Sequence, residues 1–164
     1  MNLDTLYEQH HQSLVRYLSR YTGDPEEAAD AAHEAFLRLV ERPPEHRENL
    51  RAWLFVVATN VVRDNWRKRH RALLADETSV DPTASEADDP EGQLEREERV
   101  QLARRLLAKI SARDRMVLLM REEGFSHQEI AEAVGTTTRS VGTMIARALK
   151  KLSRHVRETK EHPK

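Results

Sequence analysis

Two clusters of cationic side chains are the residues of this sequence best suited to chemistry, and that chemistry is the binding of polyanions. One cluster, Arg67-Lys68-Arg69, directly follows Trp66, and the other extends from Arg147 to Arg154. Lys and Arg contact nucleic-acid phosphates, and an aromatic side chain beside them can stack on an unpaired base. Trp66 could equally cap the protein core. The pattern predicts two nucleic-acid surfaces.

The charge is distributed in blocks, although the net charge is only −1. Lys and Arg outnumber Asp and Glu by 7 to 3 in residues 43–71 and by 14 to 7 in residues 100–164. They are outnumbered by 8 to 4 in residues 1–42 and by 10 to 2 in residues 72–99. Two basic blocks separated by an acidic one indicate two polyanion-binding surfaces and a segment that avoids them.

Several other chemistries lack the residues that they need. The chain has no cysteine, which excludes disulfides, thiolate zinc sites and thiol nucleophiles. No histidine pair has zinc-helix spacing, and no Gly-rich phosphate loop or nucleophile elbow is present. We therefore expect no metal, no cofactor and no enzymatic activity. Because no apolar run is long enough for a membrane span or a signal peptide, we expect a cytoplasmic protein without membrane insertion.

Three helices must position the first cluster, and apolar residues at three- and four-residue steps predict them over 4–21, 25–40 and 49–70. Asp24 is expected to cap the second helix, with the Glu27 carboxylate reaching back to the Asp24 amide. The predicted buried stripes comprise Ala28, Ala32, Phe36, Leu39 and Val40 on the second helix, and Leu50, Trp53, Leu54, Val57, Ala58, Val61 and Val62 on the third.

Residues 72–93 lose this periodicity and fill with acidic residues, Ser, Thr and Pro, which predicts a flexible acidic linker. Helical periodicity then resumes over 94–110, and Ser111 with Asp114 can cap the next helix. The last helix is expected to begin near Thr137 and to bury Val141, Ile145, Ala148, Leu149 and Leu152.

The segment from Ser126 to Val141 has the spacing of a helix-turn-helix. Ser126 and Glu129 can form a capping box, Gly135 suits a left-handed turn, and Val141 can pack against the small Ala131. The expected outward face of the second helix comprises Thr138, Arg139, Gly142, Thr143, Ala146 and Arg147. An ordinary helical hairpin with solvated charges is the alternative.

The two halves, in order, resemble regions 2 and 4 of the extracytoplasmic-function (ECF) group of bacterial sigma-70 RNA polymerase sigma factors. The segments that carry the resemblance are residues 24–39, 51–69, 118–131 and 147–152. The chain departs from the family pattern at His33, where Gln is usual, and at Gly142 and Met144, where the family usually carries Lys and Arg. These last two departures are expected to remove cations from the DNA side of the reading helix.

The resemblance implies an all-α fold of two small helical domains, a three-helix region 2 (1–71) and a helix-turn-helix region 4 (94–164), joined by the linker 72–93. It implies that the chain carries RNA polymerase to promoters. The implied core polymerase-binding residues are Glu26, Glu27, Asp30, His33 and Glu34. Those implied for the downstream promoter element are Arg47, Asn49, Asn60, Arg63, Asp64, Trp66, Arg67, Lys68 and Arg69. Those implied for the upstream element are Thr137, Thr138, Arg139, Ser140, Thr143, Arg147, Lys150, Lys151 and Arg154.

The implied partners are core RNA polymerase and promoter DNA, and the chain is expected to be monomeric when free. Whether an anti-sigma factor also binds it stays open. A helix-turn-helix repressor or activator with an N-terminal dimerisation or sensing domain is the main alternative, and it would dimerise and bind duplex DNA unaided. A helical adaptor that binds only proteins would leave the basic faces idle.

Overall fold

The computed structural model describes residues 2–75 and 92–161, and every regular element in those ranges is an α-helix. The chain divides into two compact units, Met1–Asp88 and Asp89–Lys164. The N-terminal unit contains α1 (Leu3–Thr22), α2 (Pro25–Glu41) and α3 (Leu50–Ala75), and the C-terminal unit contains α4 (Gly92–Ala108), α5 (Ala112–Glu122), α6 (His127–Val134) and α7 (Thr138–Glu161). The expected all-α fold of two small helical domains is confirmed. Most of the predicted linker lies outside the described residues.

Local capping chemistry sets the turn between α1 and α2. Gly23 ends α1 in the left-handed conformation (φ 75°), and Asp24 accepts hydrogen bonds from the amides of Glu26 and Glu27. The expected return contact from Glu27 to the Asp24 amide is wrong, because that amide donates instead to the Thr22 hydroxyl at 3.0 Å. The Glu27 carboxylate is engaged by Arg69 of α3.

The core of the N-terminal unit forms where α1 and α3 pack on the small residues of α2. Ala28, Ala31, Ala32 and Ala35 are fully buried and allow the helices to approach closely. The ring of Phe55 lies 4.9 Å from that of Tyr17, and the Tyr17 and Thr59 hydroxyl oxygens are 2.9 Å apart. This pairing satisfies two buried polar groups at the centre of the core.

Two details of the predicted core in this unit, and the predicted end of α3, are wrong. Phe55 and Thr59 are buried, whereas Leu50, Trp53 and Val57 are only half-buried, because α3 turns the Phe55 ring towards Tyr17 of α1. Val40 is 57% exposed, since it lies about 100° around the helix from the buried Leu39. Helix α3 also continues past the predicted end at His70 to Ala75, through Ala and Leu residues that favour helix.

In the C-terminal unit the predicted caps are confirmed. The Ser111 hydroxyl accepts from the Asp114 amide at 3.0 Å, Ser126 and Glu129 form a capping box, and Gly135 takes the left-handed conformation (φ 68°). Phe125, between α5 and α6, is fully buried, as are Met120 and Ile130. The predicted burial of Leu149 is wrong, because this side chain is 52% exposed.

Candidate nucleic-acid and polymerase interfaces

The helix-turn-helix consists of α6, the turn at Gly135 and the first turns of α7. Val141 is fully buried and Ala131 nearly so, so that α6 and α7 pack closely. The amide of Ser140 donates to the Thr137 hydroxyl at 3.2 Å, which caps α7. The predicted upstream-element residues Thr137, Thr138, Arg139 and Thr143 are exposed, and Ser140 is half-buried against Thr137. The first two turns of α7 therefore present an open polar face.

The two departures from the family pattern on α7 lie in different environments. Met144 is buried, so the expectation that position 144 faces DNA is wrong. Gly142 lies on the half-exposed side, and a Cβ there would be 3.9 Å from Cε1 of His127. The His127 ring, from the first residue of α6, therefore borders the face that Gly142 leaves bare. Sequence reasoning missed His127, although its position at the start of the first helix-turn-helix helix was a usable signal.

The second half of α7 carries the basic cluster. One groove is lined by Arg147, Lys150, Lys151, Ser153, Arg154 and Arg157. Arg147 and Lys151 also contact Asp114 of α5, whose carboxylate is almost fully buried. Lys150 is exposed, and Arg154 lies 3.9 Å from the Glu158 carboxylate. Sequence reasoning gave Asp114 only a capping role and missed its carboxylate, whose partners are more than thirty residues away in the chain.

The basic end of α3 is the predicted downstream-element surface. Asn60, Arg63, Arg67, Lys68 and Arg69 are exposed, and Arg67 pairs with the half-exposed Asp64 at 3.2 Å. The indole of Trp66 is half-buried and stacks on the Tyr21 ring, with centroids 5.5 Å apart and planes 4° apart. Trp66 thus caps the core with one face and stays accessible on the rest of its surface.

Two predicted downstream-element residues precede α3. Arg47 is exposed in the loop between α2 and α3. The Asn49 side-chain oxygen accepts from the Ala52 amide at 3.0 Å, which caps the start of α3. Asn49 therefore has a structural task that is independent of any contact with DNA.

The outer face of α2 is the predicted polymerase-binding surface. Glu26, Asp30 and His33 are exposed, and the same stripe continues at three- and four-residue steps to exposed Leu37 and Val40. We name this set of five residues the α2 stripe. Sequence reasoning missed Leu37 and assigned Val40 to the core, although the steps from Asp30 to 33, 37 and 40 were a signal for both.

Two of the predicted polymerase-binding carboxylates lie beside the stripe and are already paired. The Glu27 side chain is only 14% exposed and binds Arg69 at 2.5 Å. Glu34 is half-exposed and binds Arg38, one turn later, at 2.9 Å. Both contacts occupy oxygens that an external partner would otherwise approach.

The His10 imidazole has a perturbed pKa. Burial, and then the positive charge of Arg51, lower the pKa of the His10 imidazole from its usual 6.5. The neutral imidazole avoids repulsion with Arg51 where α1 faces α3. The His10 imidazole therefore contributes to the packing of the N-terminal unit.

Within residues 2–75 and 92–161 no group of three or more His, Asp or Glu side chains could hold a metal ion. None of the helices in those ranges is both long and apolar enough to span a membrane.

Comparison with known proteins decides the family. Residues 6–72 match the family model for Sigma-70 region 2, and residues 101–152 match that for Sigma-70, region 4. The chain is 32% identical over 153 residues to the ECF RNA polymerase sigma factor SigL of Mycobacterium tuberculosis, covering 90% of this chain and 84% of SigL. It is 29% identical over 165 residues to the RNA polymerase sigma factor YlaC of Bacillus subtilis, covering 98% and 95%. The chain belongs to the ECF sigma factors.

As a sigma factor, it directs RNA polymerase to promoters and takes part in transcription initiation. The region 2 match falls in the N-terminal unit and the region 4 match in the C-terminal unit, so we call these the region 2 unit and the region 4 unit. The α2 stripe and the basic end of α3 therefore belong to region 2, and the helix-turn-helix to region 4.

Solved structures agree in fold. The sigma factor RpoE from Bartonella quintana, in complex with the anti-sigma factor NepR, matches with a TM-score of 0.76 at 19% identity, covering 94% of this chain and 96% of that one. CnrH, in complex with the cytosolic domain of CnrY, matches with a TM-score of 0.70 at 21% identity, covering 95% and 88%.

Proposed function

We propose a division of labour in which residues 1–71 bind core polymerase and hold the opened downstream element, and residues 94–164 read the upstream element as duplex. Residues 72–93 connect the two. The chain acts in the cytoplasm as a monomer when free, and it has no catalytic activity of its own. The observation that supports this proposal is that the α2 stripe and the polar face at the start of α7 lie on different units and are both exposed.

The α2 stripe is the proposed polymerase dock. Its first turns are acidic at Glu26 and Asp30, and its later turns are apolar at Leu37 and Val40, both exposed. Exposed apolar side chains beside charges of one sign are typical of protein interfaces, where the charges steer and the apolar groups supply affinity. Glu27 and Glu34 lie beside the dock and add negative charge at fixed positions, because each is held in an ion pair.

The basic end of α3 and the loop before it are the proposed downstream-DNA surface. Reading a base there requires its extrusion from the duplex, which costs a few kcal/mol that stacking and phosphate contacts must offset. Trp66 offers a ring that Tyr21 already holds in place, and the exposed cations beside it can contact the backbone. The proposed surface comprises Arg47, Asn49, Asn60, Arg63, Asp64, Trp66, Arg67, Lys68 and Arg69.

The start of α7 is the proposed upstream-element reader. One Arg139 guanidinium can take both acceptors of a guanine in the major groove, and Thr143 can meet a neighbouring base. Thr137, Thr138 and Ser140 lie at the capped N-terminus of α7, from which they can contact the DNA backbone. Arg147, Lys150, Lys151 and Arg154 supply phosphate contacts, which fix the register of the helix without specifying sequence.

An anti-sigma factor is a proposed further partner. Two proteins with this fold, RpoE and CnrH, were solved in complexes, RpoE with the anti-sigma factor NepR and CnrH with the cytosolic domain of CnrY. A protein that covered the α2 stripe would compete directly with polymerase for its exposed apolar residues.

Reconstitution with purified core polymerase tests the proposed dock. The wild-type chain should co-purify with core polymerase and produce promoter-dependent transcripts. Asp30→Lys, in the α2 stripe, should weaken co-purification, whereas the matched reversal Glu8→Lys, exposed on α1, should not. Because both are surface substitutions, each should change stability by less than about 0.5 kcal/mol. Equal retention of polymerase by Asp30→Lys and wild type would contradict the dock.

A further inference from the structure

The buried carboxylate of Asp114 is the most unusual group in the region 4 unit. Asp114 lies in the first turn of α5 and is 3% exposed, among the apolar side chains of the core. Its Oδ1 accepts a hydrogen bond from Arg147 Nη2 at 3.0 Å, and its Oδ2 lies 3.7 Å from Lys151 Nζ. A buried carboxylate is strongly unfavourable unless it is paired. These two cations of α7 pair it.

Both cations remain available to an external anion. The Arg147 side chain is 54% exposed and that of Lys151 is 40% exposed, and both line the basic groove of α7. Arg carries five N–H donors and Lys three. The contact with Asp114 uses only part of this donor set, so each side chain can bind a phosphate while it stays on the carboxylate.

Lys150 provides an internal contrast. It lines the same groove and is exposed, but none of the ion pairs found among the described residues involves it. An untethered lysine must give up rotamer freedom when it binds a phosphate, whereas Arg147 and Lys151 are already restricted by Asp114. The three cations therefore differ in how far they are ordered before DNA arrives.

We propose that Asp114 is a positioning residue for upstream-DNA binding, which holds Arg147 and Lys151 in the orientation in which they contact phosphates. This inference rests on the proposed role of the α7 groove in binding duplex DNA. Simple electrostatics makes the opposite prediction, because removing a negative charge near a polyanion should strengthen binding. The sign of the effect therefore separates the two accounts.

The test uses the full-length chain and its Asp114→Asn variant, which keeps the size of the side chain and one acceptor oxygen. Binding to a short duplex of scrambled sequence is titrated by fluorescence anisotropy over a range of salt concentrations, because phosphate contacts do not depend on sequence. The positioning role predicts that the variant binds about 3- to 10-fold more weakly, despite its more positive net charge. Equal or tighter binding would overturn it.

A double-mutant cycle separates positioning from a purely structural role. In an Arg147→Gln background the effect of Asp114→Asn on affinity should shrink to the part that acts through Lys151, whereas in a Lys150→Gln background it should persist in full. A structural role would lower the unfolding midpoint in both backgrounds and leave the coupling with Arg147 at zero. That outcome overturns the inference.

Arg147→Lys provides a variant that leaves the buried carboxylate in place and so protects the fold. Its ammonium has three N–H donors instead of five and no planar fork, so it should hold Asp114 and a phosphate together less well, and binding should weaken, though less than in Arg147→Gln. Wild-type affinity in Arg147→Lys would mean that charge alone matters, and it would overturn the inference.

The outcome also distinguishes this inference from the proposed function. If Arg147→Gln and Lys150→Gln both weaken binding but Asp114→Asn does not, the DNA-binding groove stands and the positioning role fails. If none of the three substitutions weakens binding, the proposed role of the groove fails, and the positioning role fails with it.

Discussion

The region 2 and region 4 units each pair a largely buried carboxylate with one or two cationic side chains of a long helix, but the basic surfaces of the two helices lie differently on their cores. In region 2, Glu27 of α2 holds Arg69, and every described residue of α3 after Trp66 is exposed. In region 4, Asp114 holds two cations, and the basic residues of α7 alternate with buried or half-buried positions such as Ala148 and Leu152. One basic surface extends beyond its core, and the other lies on its core.

This difference suits two forms of DNA. Cations that lie directly on a packed core keep fixed spacings, as the regular phosphates of a duplex require. Cations on a helix end with no core beneath them can change their spacing, as the binding of an opened strand requires. The stacked Tyr21 and Trp66 rings are the last packed side chains before that end. We therefore expect region 4 to recognise duplex and region 2 to hold unpaired bases.

Polymerase binding, which we assign to region 2, should respond most strongly to substitution. Leu37→Asp should lower the affinity for core polymerase by about 2 kcal/mol or more, roughly 30-fold, because it places a charge in the apolar part of the α2 stripe. Leu149→Asp changes a similarly exposed leucine on α7 and should leave this affinity unchanged. Quantitative pull-down measures both. Equal losses would show that the dock is not confined to region 2.

Base reading, which we assign to the first turns of α7 in region 4, should depend on Arg139. Arg139→Ala should cost about 1 to 3 kcal/mol on the preferred upstream element and much less on scrambled duplex, because base contacts specify sequence. Lys150→Ala should weaken binding to both duplexes alike and lower the salt slope by about one. Competition binding by the holoenzyme measures these effects. If Arg139→Ala weakened both duplexes equally, Arg139 would be a phosphate contact.

Substitution of Trp66 tests whether region 2 holds the opened strand. Because it is half-buried on Tyr21, Trp66→Ala should destabilise the region 2 unit by about 1 to 2 kcal/mol. It should also reduce the permanganate reactivity of promoter thymines more than it reduces recruitment of polymerase. Trp66→Phe keeps a stacking ring and should restore most of both. Equal losses in opening and recruitment would return Trp66 to a packing role alone.

A smaller effect is expected at Gly142, a poor helix former within the continuous reading helix. Gly142→Ala should stabilise the region 4 unit by up to about 1 kcal/mol, because the added Cβ would meet His127 at an ordinary contact distance of 3.9 Å. Gly135→Ala is the control and should destabilise the same unit, since Gly135 has a φ of 68°. Thermal unfolding measures both. A lower unfolding midpoint for Gly142→Ala would contradict this packing.

Local and distant contacts differ in how well the sequence predicts them. The caps at Asp24, Ser126 and Thr137 follow from side-chain chemistry within three residues, so they could be predicted. The exposure of Val40 and the burial of Phe55 depend on how each helix is rotated about its own axis. Contacts with the other helices determine that rotation. The partners of Glu27 and Asp114 lie 42 and 33 residues away in the chain, so only the fold brings them together.

The candidate site divides in the same way. Arg139 and Thr143 were predicted on an open face because the helix-turn-helix spacing fixes the rotation of α7, and both are exposed. Met144 was placed on that face by family position alone and is buried instead. Leu37 was overlooked although it follows Asp30 and His33 at helical steps, because an apolar side chain is expected in the core rather than on an exposed face.

Selection of random duplexes by core polymerase carrying this chain tests the division between the two units most directly. Sequencing the bound and transcribed DNA should reveal two enriched blocks that core polymerase alone does not select. Arg139→Ala should erase the upstream block and keep the downstream one, and Trp66→Ala should weaken the downstream block and keep the upstream one. A single block, or two blocks that respond identically to both substitutions, would contradict the account.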